Sequence, residues 1–87
     1  MENKIKNLGS NHAGVMRLKN GQMANYGTIR VENGNFICYT GQGLREMWSS
    51  STDSEKSKEL KKLDEKALIN LGHIAVTPIS EIAEIIN

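Results

Sequence analysis

Two Asn-Gly pairs, Asn20-Gly21 and Asn33-Gly34, constrain this chain more than any other feature. A two-residue hairpin loop needs positive φ at both central positions, and Asn-Gly meets that need at low steric cost. Each pair is flanked by segments in which apolar and polar residues alternate, the pattern of a half-buried strand. The spacing predicts a three-stranded antiparallel meander over about 13–40. With two-residue loops the register follows. Leu18 faces Met23 across the first turn; Val31 faces Phe36 and Ile29 faces Cys38 across the second. Period-two alternation then gathers Met16, Leu18, Met23, Ile29, Val31, Phe36 and Cys38 on one face. Gly27 sits in mid-strand and marks a bulge or bend.

The chain changes character at a seam near 49–54, where a serine-rich loop replaces the glycine-punctuated strands. Just before it, Leu44, Met47 and Trp48 share a face at helical spacing and predict a short helix. Beyond it, Thr52, Asp53 or Ser54 caps a helix running to about Leu71, with Leu60, Leu63, Ala67 and Leu71 as its apolar stripe. Gly72 stops that helix. His73-Ile74-Ala75-Val76 reads as a short buried strand. Thr77-Pro78 then reads as a cap with proline at the first helical position. Ile79, Ile82, Ala83 and Ile86 complete the stripe of a C-terminal helix. The expected fold is α+β: the meander, then helix, short strand and C-terminal helix, packed on the apolar face of the sheet.

Composition sets bounds on function. With 87 residues, the chain forms a single domain, 1–87, with 1–12 as an N-terminal arm. A domain this small buries only about 60–65% of its unfolded surface, so its core is thin. The net charge is +1, divided as +3 before the seam and −2 after it. That balance excludes a DNA mimic and a histone-like coat protein. One Cys excludes a disulfide framework and a multi-thiolate zinc site. No apolar run approaches the roughly 18 residues of a membrane span. The polar N-terminus also lacks a signal-peptide core, so a cytoplasmic protein without membrane contact is expected.

The register that builds the apolar face puts Arg17, Lys19, Tyr26, Arg30, Ile37 and Tyr39 on the other side. Tyrosine and arginine are enriched at protein interfaces, and the same residues suit single-stranded nucleic acid, where rings stack on bases and cations meet phosphate. An ordinary solvated strand face has a similar composition. With so few cations, the nucleic-acid reading is the weaker of the two functional ones. The turn Gly41-Gln42-Gly43-Leu44-Arg45 leads from strand to helix. Gly41 and Gly43 could turn backbone N–H groups toward an anion, with Arg45 adding charge. It lacks the third glycine of a dinucleotide fingerprint and the Lys-Ser/Thr of a phosphate loop.

Catalytic and metal chemistry have little to stand on. His12 and His73 are the only histidines, and neither has carboxylates at ligand spacing. Cys38 falls on the core face, where a thiol behaves as a small hydrophobe. No enzyme, metal or cofactor is therefore expected. Trp48 suits either the core or an interface. Ile69 and Ile85 lie off their helical stripes, so with Trp48 they are candidate contacts of a homodimer. The sequence therefore points to a small non-enzymatic binding protein acting through protein–protein contact. A regulator or inhibitor of the kind found on phages and mobile elements fits that description. Binding of nucleic acid or a nucleotide, through the Tyr/Arg face or the Gly41–Gly43 turn, is the alternative.

Overall fold

The computed structural model describes residues 13–86. The candidate arm 1–12, including His12, lies outside the described residues. The elements in chain order are β1 (Ala13–Leu18), β2 (Met23–Glu32), β3 (Asn35–Tyr39), α1 (Gly41–Met47), α2 (Ser54–Lys61), α3 (Glu65–Asn70), β4 (Ile74–Pro78), a 3-10 turn (Ile79–Glu81) and β5 (Ile82–Ile86). The strands form one five-stranded antiparallel sheet in the order β4-β3-β2-β1-β5. The α+β class stands. The meander gains a strand on each side, and the expected C-terminal helix is β5.

The two Asn-Gly pairs fold differently. Asn33 and Gly34 both take positive φ, 53° and 78°, so the second loop has its expected register with Val31 opposite Phe36. In the first, only Gly21 has positive φ. Asn20 keeps a negative φ, and its Oδ1 accepts the Gln22 N–H at 2.9 Å. The loop spans 19–21, the Leu18 N–H donates to the Gln22 carbonyl, and Arg17 rather than Leu18 lies opposite Met23. A second shift occurs in β2. Ile29 is bulged out between the pairs Thr28–Cys38 and Arg30–Ile37. Each shift reverses facing from that point on. The N-terminal half of β2 is therefore turned over: Met23 is 55% exposed, whereas Tyr26, expected on the outside, is 0% exposed.

The bulge also bends β2, which pairs with β1 through residues 23–27 and with β3 through 27–32. At the far ends, Pro78 lies opposite Asn35 and Ile82 opposite Leu18, with only the 3-10 turn between them. The sheet must curl to bring its two edges that close. The turn is pinned to both hairpin loops, by Ile79 N–H to the Gly34 carbonyl at 3.0 Å and Lys19 N–H to the Glu81 carbonyl at 2.9 Å. The concave side thus closes on itself around Met16, Tyr26, Phe36, Cys38, Ile82 and Ile85, without a helical residue among them. Ile85, a candidate dimer contact in the sequence, is part of this core.

The helices cover the opposite, convex face. There Ile37 and Ile74 are buried against Met47, Leu60 and Leu68, with Ile29 and Tyr39 partly buried beside them. Alternation thus places Ile37 and Tyr39 opposite Phe36 and Cys38 as expected, but this second face is not free. A thin chain has two small cores instead of one.

The expected helix to Leu71 is broken after Lys61. Asp53 caps α2, its Oδ1 accepting from the Glu55 and Lys56 N–H groups, and Asp64 caps α3 by accepting from the Ala67 N–H at 2.8 Å. The restart rotates the apolar stripe: Leu60 and Leu68 are buried, whereas Leu63 and Leu71 are exposed. Gly72 does end α3, with the His73 N–H returning to the Leu68 carbonyl. In the C-terminal segment the Ile spacing fits a helix, but its β-branched run also suits a strand. Pairing with the free edge of β1 decides the matter.

Candidate binding site

α1 organises the surface. Thr40 caps it, the Oγ1 accepting from the Gly43 N–H at 3.1 Å and donating to the Gly72 carbonyl at 2.6 Å. The Thr40 N–H donates to the His73 carbonyl at 3.0 Å. These bonds lay α1 directly on the segment entering β4. At the other end, Ser57 Oγ donates to the Met47 carbonyl at 2.9 Å and Thr52 Oγ1 to the Arg45 carbonyl. With both ends held, Met47 points into the core and Trp48 points out, 54% exposed.

A polar cluster fixes the remaining face of α1. Glu46 accepts from Lys56 Nζ at 2.5 Å and from Gln42 Nε2 at 3.3 Å, and its other partner is Nε2 of the buried His73. Lys56 foremost, opposed by some desolvation and helped by His73 and Gln42, holds the Glu46 carboxyl down at about 2, against an ordinary 4.5. A depressed carboxylate stabilises the fold fully above its unfolded range and loses that effect as pH falls toward the folded value. The advantage of the wild-type chain over Glu46→Gln in urea midpoint should therefore shrink as pH drops from about 4.5 to about 2. A gap that stays constant through that window would show the cluster is not coupled to folding.

Trp48 borders three overlapping depressions, which together make one trough. The middle one, about 500 Å³, is walled by Ala13, Gly27, Thr28, Tyr39 and Leu44. One end opens over Val15, Asn25 and Arg45, and the other over Lys61 and Leu63. Gly27 matters here: a Cβ would come within 2.7 Å of Leu44 Cδ2, so Leu44 rests on bare backbone. The Tyr39 and Trp48 rings meet edge to face, 5.9 Å apart at 68°. Lys61 Nζ stands 4.0 Å above the Trp48 ring.

The sequence candidates scatter. Tyr26 and Ile37 are buried in the two cores. Arg17 is exposed and paired with Glu84 at 3.2 Å. Lys19 is exposed beside the first hairpin loop. Arg30 is held bidentately by Glu65 at 2.8 Å and by Glu32 at 2.6 Å, which raises its pKa and, through Arg30, lowers that of Glu65. Only Tyr39 of that face reaches the trough, where Gly41, Arg45 and Trp48 join it. The Gly43 N–H is occupied by Thr40 rather than free for an anion. Ile69 is exposed on α3. Cys38 is buried, and burial pushes its thiol up to about 12. Among the described residues no group of three or more His, Cys, Asp or Glu could hold a metal, and no helix is long and apolar enough to cross a membrane.

Helical spacing places Leu44 beside Trp48, as found, but sequence reasoning missed Asn25 and Lys61 as its neighbours. One signal was present. The residues three and four places after Trp48 are Ser51 and Thr52, so no apolar partner follows it to bury the ring. Compared with known proteins, the chain matches no family model, no curated sequence and no solved structure.

Proposed function

We propose that this protein is a small binding module that recognises another protein through the trough around Trp48. One observation carries the reading. The only Trp of the chain stands 54% exposed where three depressions meet. Large rings with few rotatable bonds lose little entropy when ordered by a partner, which is why Trp and Tyr dominate interface hot spots. The helix caps and the Glu46 cluster support the reading further, because they hold the aromatic pair in place before any partner arrives.

Capture with immobilised wild-type protein and with Trp48→Ala, recovering protein and nucleic acid separately, tests it. Trp48→Ala is expected to weaken partner binding by about 2 kcal/mol or more, roughly 30-fold, at a nearly unchanged thermal midpoint. A partner held equally by both proteins would move the site elsewhere. Nucleic acid recovered in place of protein would favour the alternative. Two observations weigh against that alternative: Arg17 and Arg30 are already paired with carboxylates, and Tyr26 is inside the core.

A further inference from the structure

We infer that the trough takes a short acidic peptide segment of a partner protein, its apolar side chain lying on Trp48 and its carboxylates meeting Arg45 and Lys61. This rests on the reading of the trough as the binding surface and adds the chemistry of the occupant. The argument is charge complementarity around an apolar floor. Arg45 lines one end of the trough and Lys61 the other. Neither has an acidic partner among the described residues. The one acid on the lining, Glu65, is matched by the bidentate Arg30. The rim therefore carries uncompensated positive charge, Arg45 from the half of the chain with net +3 and Lys61 from the half with net −2.

The floor between those cations is Leu44, Tyr39 and Trp48. Its shape, three depressions in continuity rather than one closed cavity, suits an extended segment. A second copy fits poorly. In a two-fold pairing through this surface, each copy would bring the same unpaired cations to the contact. Single-stranded nucleic acid fits poorly as well, because two free cations at the trough neutralise too few phosphates.

Blocked nonapeptides with a central Leu, flanked by Glu, Gln or Lys, are the probes. The single Trp makes intrinsic fluorescence a direct reporter of the site. The Glu-flanked peptide should bind about 10-fold tighter than the Gln-flanked one, with the Lys-flanked one weakest and the differences shrinking in salt. Arg45→Glu and Lys61→Glu, both at exposed positions, should each remove the preference for Glu over Lys, and the double variant should reverse the order, with the thermal midpoint lowered by only a few degrees. Equal binding of all three peptides, abolished by Trp48→Ala when binding is followed by titration calorimetry, would overturn the acidic occupant and leave the trough as the binding surface. No response to any peptide, with Trp48 emission shifting on dilution of the protein alone, would identify a second copy and overturn the inference. A salt-sensitive response to oligothymidylate in place of the peptides would overturn both readings.

Discussion

Tyr26→Ala is expected to cost about 4 kcal/mol of folding stability, more than any surface substitution in the molecule. The ring is 0% exposed and stands edge to face on Phe36, with centroids 5.3 Å apart at 66°. Its surroundings are Met16, Cys38, Ile82 and Ile85, which come from three other strands of the curled sheet. Filling the vacated space would mean moving hydrogen-bonded strands, so little of the cavity can collapse and the cost lies near the upper end of aromatic truncations. A domain of this length has about 5–10 kcal/mol in total. The thermal midpoint should fall by roughly 20 °C. Tyr26→Phe keeps the ring and removes only the hydroxyl, so it should cost about 1 kcal/mol. Circular dichroism melts of the two variants make the comparison. A midpoint for Tyr26→Ala within about 0.5 kcal/mol of wild type would put the ring back on the surface.

That outcome separates what the sequence displays from what it hides. Asn33-Gly34 behaves as its turn chemistry requires. Asn20-Gly21 is identical in sequence, yet Asn20 bonds through its side chain and the loop grows by one residue. The bulge at Ile29 has no mark of its own; Gly27, the residue that suggests irregularity, is two places away. Facing depends on parity, so these two shifts were enough to exchange Met23 and Tyr26 between surface and core. They also cancel across the first hairpin, which is why Met16 and Leu18 face the core as their alternation predicts. The C-terminal segment fails for another reason. Nine residues with Ile at irregular spacing satisfy both periods, and the choice was made by a free strand edge far away in the chain.

The site was legible as residues and illegible as a surface. Tyr39, Gly41, Arg45 and Trp48 each stand out in the sequence for a chemical reason, and all four line the trough. The sequence assigns them to three different sites, because their juxtaposition depends on how α1 lies on the sheet. Lys61 reaches Trp48 only because the helical half breaks after it and Asp64 restarts the next helix. The sheet face that the sequence offers as a binding surface is covered by those same helices. Local chemistry is written in the residues; which face remains open is set by long-range packing.

Gly43→Ala should cost about 3 kcal/mol or more, although Gly43 touches no part of the trough. A Cβ there would clash with the His73 carbonyl oxygen and stand 3.0 Å from its carbonyl carbon and 3.2 Å from its Cα. These are backbone atoms, so no side-chain rotation relieves the overlap. The helix must lift away from the segment entering β4. Lifting it strains the Thr40 N–H bond to the His73 carbonyl, the Thr40 Oγ1 bond to the Gly72 carbonyl, and the Glu46–His73 pair. Gly41→Ala is the matched control, two residues earlier in the same helix. Its Cβ would meet only the Asn25 side chain, at 3.4 Å, and alanine favours helix, so its midpoint should stay within about 0.5 kcal/mol of wild type. The Gly43→Ala chain that does remain folded should also show a changed Trp48 emission, because α1 carries that ring at its C-terminal end. Equal stability of the two alanine variants would mean that α1 does not rest on the β4 entry, and the pre-positioning of Trp48 would then lack its physical cause.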